Sequence, residues 1–171
     1  IAQWLPALLQ HCPRLVMDAD ALNAVAASTQ LQGMLRQRAA DGMVTVLTPH
    51  PLEAARLLGC HSAEIQQDRM AAANALASKY QCMVVLKGSG SICVLPHILP
   101  VAHQNQGTGA VINFSGNARL ATPGTGDVLA GCMGAVAAIK KGCTVILADK
   151  AWVGSSGEST FAAGDILYYD P

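Results

Sequence analysis

Charge and aromatic rings are both scarce in this chain. Of its 171 residues, 13% are Asp, Glu, Lys or Arg and 4% are Phe, Trp or Tyr. The 11 basic and 11 acidic residues cancel, and no run of Lys or Arg marks an arm. A nucleic acid therefore meets no basic field. Any anionic ligand has to be held by local geometry, such as helix ends and glycine loops. The six cysteines, at 12, 60, 82, 93, 132 and 143, include no C-x-x-C pair. Most lie inside apolar runs, where cysteine acts as a small hydrophobe. They read as reduced, structural residues rather than a disulfide or zinc framework, and a cytoplasmic chain is the expectation. No apolar run is long enough to span a bilayer, so no membrane partner is expected. A Walker A loop of the form G-x-x-x-x-G-K-[ST] is also absent.

What the chain does have is apolar residues, 51% of the total. That excludes disorder and fits a buried sheet covered by helices. An amphipathic helix is expected over 1–10, with Pro6 limiting its regularity. Arg14-Leu15-Val16-Met17-Asp18 is a short apolar run ending in acid, as a buried strand has at its carboxyl end. DALNAVAAS at 20–28 reads as a helix, and Met43 to Leu47 as a second strand. LEAARLLG then starts a helix stopped by Gly59. Ser62 is placed to cap a further helix reaching about Tyr80. Met83 to Lys87 and Ser91 to Leu95 flank a glycine turn and read as a strand pair. Residues 96–110 look irregular, Ala110 to Phe114 reads as a last strand, and helices are expected over 127–139 and about 144–163. The alternation specifies an α/β class with a mainly parallel sheet, in which ligands bind beyond the carboxyl ends of the strands.

Four polar motifs fall at such ends. In LVMDADALN, residues 15–23, Asp18 and Asp20 leave a strand and Asn23 enters the next helix. These residues read either as caps or as the rim of a ligand site. In TPHPLEAARLLG, residues 48–59, prolines fix the chain around His50, and Glu53 follows in the first helical turn. Glu53 also serves there as a favourable charge at a helix start. In VVLKGSGS, residues 84–91, Lys87 precedes Gly88, Ser89, Gly90 and Ser91, a turn that can cradle phosphate with backbone N–H groups or simply close a hairpin. In SGNARLATPGTGD, residues 115–127, Asn117 lies in a long approach to Gly124, Thr125, Gly126 and Asp127 at a helix start. Phosphate binds at such starts, and a carboxylate there can accept a proton from an attacking hydroxyl.

Taken in order, DADALN, TPHPLEAARLLG, VVLKGSGS and SGNARLATPGTGDVLAG resemble the ADP/ATP-dependent NAD(P)H-hydrate dehydratases, over about residues 12–164. The resemblance implies a ribokinase-like three-layer α/β/α fold. It also implies a repair reaction on the S epimers of hydrated NADH and NADPH, in which ADP or ATP with Mg²⁺ phosphorylates the ring hydroxyl and phosphate then leaves. By similarity Asp127 is the base, and Gly124 and Gly126 stabilise the transferring phosphoryl group. Lys87, Gly88, Ser89, Gly90, Ser91, Asn117 and Gly126 contact the adenine nucleotide. His50, Asp127, Asp20 and Asn23 face the hydrated cofactor, and Glu53 reaches magnesium through water. Members of the family often assemble, so a homo-oligomer belongs to the expectation.

The chain departs from the family pattern at Leu52 and Pro123, where glycine is usual, and at Ala118 and Arg119, where Pro-Gly is common. The His-Gly pair often found near 152–155 is missing. The family's upstream glycine-rich loop has no counterpart, so residues 1–171 are expected to form one domain lacking its N-terminal strands. Two alternatives compete. A ribokinase-like vitamin kinase, acting on a hydroxymethylpyrimidine or a hydroxyethylthiazole, would release a stable phosphorylated product. Such kinases typically have asparagine at the position of His50. A non-catalytic nucleotide-binding module would not need a base at Asp127.

Overall fold

The computed structural model describes residues 3–96, 109–113, 126, 128, 129 and 131–134. The chain divides into two compact units, Ile1–Gly116 and Asn117–Pro171. In the first unit the order is α1 (Leu5–His11), β1 (Arg14–Met17), α2 (Ala19–Ala27), α3 (Thr29–Ala40), β2 (Val44–Leu47), α4 (Pro51–Leu58), α5 (Ser62–Gln67), α6 (Arg69–Tyr80), β3 (Met83–Leu86), β4 (Ser91–Val94) and β5 (Ala110–Asn113). In the second unit the described residues are helical. The approach at 115–125 and the helix expected over 144–163 lie outside the described residues.

The five strands form one sheet in the order β1-β2-β3-β4-β5. β1, β2 and β3 run parallel, with Arg14 opposite Val44 and Val46 opposite Met83. β4 returns antiparallel to β3 with Leu86 opposite Ile92, which makes the expected hairpin, and β5 is antiparallel to β4. Each parallel crossover carries helices, as a parallel connection requires. The buried strand residues Met17, Leu47, Val84, Leu86, Ile92 and Val94 meet Leu22, Val25, Leu35, Leu57, Leu76 and Tyr80 from the helices in one core.

Local signals set most boundaries. Pro6 sits in the first turn of α1, where its missing N–H is not needed, and Leu5 and Leu9 bury one face of that helix. Ser28 ends α2 and caps α3 by accepting from Leu31 N at 3.3 Å. Gly59 closes α4 in the left-handed region at φ 76°, its N–H bonding to Ala55 O. Two expectations change. The single helix after Ser62 is two helices, broken at Asp68, whose side chain accepts from Ala71 N at 2.8 Å and so caps α6. Ser62 is the first residue of α5, while His61 occupies the cap position. Helix α3 was not anticipated at all: TQLQGMLRQRAA carries a glycine in its middle and weak amphipathicity.

α3 is held instead by a buried cation. Arg38, 2% exposed, donates from Nε to Thr45 Oγ1 at 2.8 Å and from Nη1 to Leu9 O at 2.6 Å. Nη2 donates to Val44 O at 3.2 Å. One side chain thus joins α1, α3 and the start of β2. Burial lowers its pKa, the direction expected when a cation leaves water.

Candidate active site

The site grows from the carboxyl ends of the three parallel strands. β1 ends at Met17, so Asp18 is the first residue beyond it. β2 ends at Leu47 and continues through Thr48 and Pro49, both buried, to His50. β3 ends at Leu86, which puts Lys87 at its tip. These tips are bonded to one another past the last strand residues. Thr48 donates to Met17 O from its N–H at 3.1 Å and from Oγ1 at 3.2 Å, and Lys87 N donates to Pro49 O at 2.8 Å.

Asp18, His50, Glu53 and Lys87 converge there. Lys87 Nζ lies 2.7 Å from Asp18 Oδ1 and 3.8 Å from Glu53 Oε2. All three side chains are largely sheltered, at 19% exposure for Lys87, 10% for Asp18 and 4% for Glu53. His50 caps α4 by accepting at Nδ1 from Leu52 N at 3.1 Å and Glu53 N at 3.3 Å. Glu53 returns the contact, its Oε2 accepting from His50 N at 2.8 Å, so the pair forms a capping box. The other ring nitrogen, Nε2, stands 3.4 Å from Glu53 Oε1. The half-exposed ring edge is held at a fixed angle, as the prolines on either side of His50 foretold.

Three more of the sequence candidates have defined surroundings. Asp20 is exposed in the first turn of α2, and Asp18 is the residue that caps that helix, accepting from Ala19 N at 2.8 Å. Asn23 joins α2 to α4 by accepting from Arg56 Nη1 at 2.8 Å. Lys87 keeps its ammonium on two carboxylates. In the 87–91 turn, Gly88 stands at φ 146° and Gly90 at φ 66°. Ser91 Oγ donates to Gly88 O at 3.3 Å and closes the turn from within. Leu52, at the family's usual glycine position, is 47% exposed beside His50.

Asn117, Gly124 and Asp127 lie outside the described residues, and Gly126 and Val128 are helical. Sequence reading missed Arg69, which donates to three carbonyls of the 86–89 segment. No local pattern signals it, because its partners lie 17 to 20 residues away. Among the described residues no group of three or more His, Cys, Asp or Glu side chains is arranged to hold a metal ion. Both Glu53 oxygens already face His50 and Lys87. The described residues therefore do not form a magnesium cage. Mg²⁺ generally keeps waters and substrate phosphates as ligands and needs few protein oxygens.

Among the described residues, no helix is long and apolar enough to cross a membrane. The chain resembles an ADP-dependent (S)-NAD(P)H-hydrate dehydratase from Neisseria meningitidis, at 39% identity over 132 residues. That alignment covers 77% of this chain and 40% of the relative. A bifunctional NAD(P)H-hydrate repair enzyme from Moorella thermoacetica is 37% identical over 167 residues, covering 91% of this chain and 28% of the relative. The chain thus spans well under half the length of either relative. A ribokinase-like superfamily protein of known structure from Enterococcus faecalis superposes with a TM-score of 0.52 at 23% identity, over 75% of this chain and 39% of that one, a likeness of fold. The profile of the NAD(P)H-hydrate dehydratases matches residues 4–170. With all four motifs inside that span, the chain belongs to the NAD(P)H-hydrate dehydratase family.

Proposed function

We propose that the protein repairs the S epimer of hydrated NADH and NADPH by an adenine-nucleotide-dependent dehydration. The observation that carries this reading is the family match over residues 4–170, which contains the four motifs in order. In this reading residues 1–171 serve one dehydratase domain, and ADP, which the name of the Neisseria relative specifies, is the first donor to try.

The chemistry follows from leaving-group strength. Hydroxide leaves a saturated ring carbon poorly, and phosphate leaves it well. Asp127 accepts the proton of the ring hydroxyl, whose oxygen then attacks the terminal phosphorus of the nucleotide. The new O–P bond forms as the bridging P–O bond breaks, so ADP departs as AMP. The ring C–O bond then breaks, its electron pair leaves with phosphate, and loss of a proton from the adjacent carbon restores the double bond. The backbone of Gly124 to Gly126 opposes the negative charge that develops on the transferring group. The 87–91 turn, together with Asn117, holds the nucleotide. His50 presents its ring edge to the hydrated nicotinamide nucleotide, beside Asp20 and Asn23. Magnesium, carried on the nucleotide phosphates and reached by Glu53 through water, neutralises phosphate charge when bound.

The test is an assay with hydrated NADH, Mg²⁺ and either ADP or ATP, following the return of reduced-nicotinamide absorbance together with phosphate release. Recovery of NADH with stoichiometric phosphate is expected. Asp127→Asn should lower turnover by about 10²- to 10⁴-fold, the usual weight of a general base, while ADP still binds. Full turnover by that variant removes Asp127 from the mechanism. Nucleotide consumption with no NADH recovered and no phosphate released would point to a kinase with another acceptor.

A further inference from the structure

We propose that Arg69 is the positioning residue of the nucleotide turn: from the first residue of α6 its guanidinium gathers the carbonyls of the 86–89 segment, and this turns the amides of Gly88 and Gly90 outward to the nucleotide. The proposal rests on the reading of the 87–91 turn as the adenine-nucleotide site.

Three contacts define the grip. Nη1 donates to Ser89 O, and Nη2 donates to Leu86 O and Lys87 O, each at 3.3 Å. A trans peptide carries its N–H opposite its C=O. Carbonyls of residues 86, 87 and 89 that face Arg69 therefore set the N–H groups of residues 87, 88 and 90 on the far side. The first of these is seen doing so, since Lys87 N reaches away to Pro49 O. The other two belong to Gly88 and Gly90, which sit at φ 146° and 66°. The result is two backbone donors aimed away from Arg69, in a turn whose carbonyls at 86, 87 and 89 are engaged behind it, the arrangement by which a backbone concavity binds an anion.

The packing around Gly88 fits the same role. A Cβ built there would stand 2.7 Å from Arg69 Nη2, so the guanidinium lies where a side chain at 88 would be. A methyl at this position would displace the guanidinium, and φ 146° by itself favours glycine. Two features argue that Arg69 is more than a fold brace. Its Nε is buried with no hydrogen-bond partner, which is unfavourable for stability taken alone. Among the described residues no carboxylate pairs with it, so its charge stands unneutralised directly behind the turn. A fixed positive charge there favours an anionic ligand on the outer face.

The experiment uses calorimetric titration of the full chain with ADP, in parallel with steady-state kinetics. Arg69→Ala should weaken ADP binding by about tenfold or more, the effect of losing charge-assisted bonds, and raise the KM for ADP alike. The KM for the hydrated cofactor should not move. Arg69→Lys, which keeps the charge but not the fork, should recover only part of the loss, and added ethylguanidinium should restore ADP binding to Arg69→Ala. Three results would overturn the proposal. ADP binding by Arg69→Ala equal to that of the unchanged chain would free the turn from Arg69 and leave the dehydratase reading intact. Equal losses for both substrates, with a lowered Tm and no rescue, would make Arg69 a fold brace. Turnover of hydrated NADH by the unchanged chain, together with full ADP affinity in the Gly88→Ala variant, would move the nucleotide site away from this turn.

Discussion

Replacing Lys87 by methionine removes the ammonium that stands 2.7 Å from Asp18 and 3.8 Å from Glu53. The stem volume is kept, so the perturbation is mainly electrostatic. A fully exposed pair would be worth about 0–1 kcal/mol, and removing one member of a fully buried pair costs about 3–5 kcal/mol. This cluster lies between those limits, with its three side chains 4–19% exposed. The stranded carboxylates would also keep some compensation. Asp18 would still accept from Ala19 N at the start of α2, and Glu53 from His50 N at the start of α4. The expected cost of Lys87→Met is therefore about 2 kcal/mol, nearer the lower limit than the upper. Asp18→Asn leaves a good helix cap and leaves Lys87 its second carboxylate, so about 1 kcal/mol is expected. The two changes together should cost less than their sum, with a coupling of about 1–2 kcal/mol. Urea unfolding of the four proteins measures it, provided the m value stays constant. A coupling below about 0.5 kcal/mol, the scatter of independent sites, would refute the view that Lys87 ties strand tips together.

Other outcomes follow from buried or constrained groups. Burial pushes the Tyr80 phenol up to about 12 from 10.0 and the Cys82 thiol up to about 12 from 9.0. Both ionise earlier in the unfolded chain, so their protonated forms support the fold fully below pH 9.0, and that support is lost as pH rises toward 12. The loss should be about 3 kcal/mol for Tyr80 and about 4 kcal/mol for Cys82, and urea midpoints across this range report it. Cys82→Ala should remove the early part of the fall, between pH 9.0 and 10.0, where of these two groups only the thiol titrates in the unfolded chain. An unchanged slope in that interval would exclude Cys82 as its source. Gly59→Ala has open space for its methyl but keeps φ at 76°, so a loss of about 1 kcal/mol is expected by urea titration, with ADP affinity untouched.

Much of this architecture was legible because local chemistry and tertiary structure agree. The glycine turn at 88–90 sits between two apolar runs and becomes a hairpin, Gly59 stops α4, and Pro-His-Pro presents His50 while Glu53 follows three residues on. What was illegible depends on long reach. Arg38 holds α3 through Leu9, 29 residues away, so a segment of weak periodicity becomes a helix for reasons found elsewhere in the chain. Lys87 meets Asp18 across 69 residues, and no spacing rule distinguishes Asp18 from Asp20 as its partner. Asp20 shares the motif but turns to solvent. The break at Asp68 was legible in principle, since an aspartate followed by Arg-Met-Ala-Ala is a cap signal, but the apolar pattern continues across it.

The bonds that join the strand tips beyond the sheet bear on the entropy of binding. Thr48 is fastened twice to Met17 O, and the Lys87 amide is fastened to Pro49 O, so the backbone up to residue 87 is already immobilised by its neighbours. β4 restarts the ladder at Ser91. Only residues 88–90 lie between these anchors. Ordering one backbone residue costs about 1–2 kcal/mol, so a ligand that settles on this turn has at most three residues to quiet rather than a whole loop. The same contacts that complete the sheet thus leave more of the interaction energy of any ligand bound at this turn available as affinity.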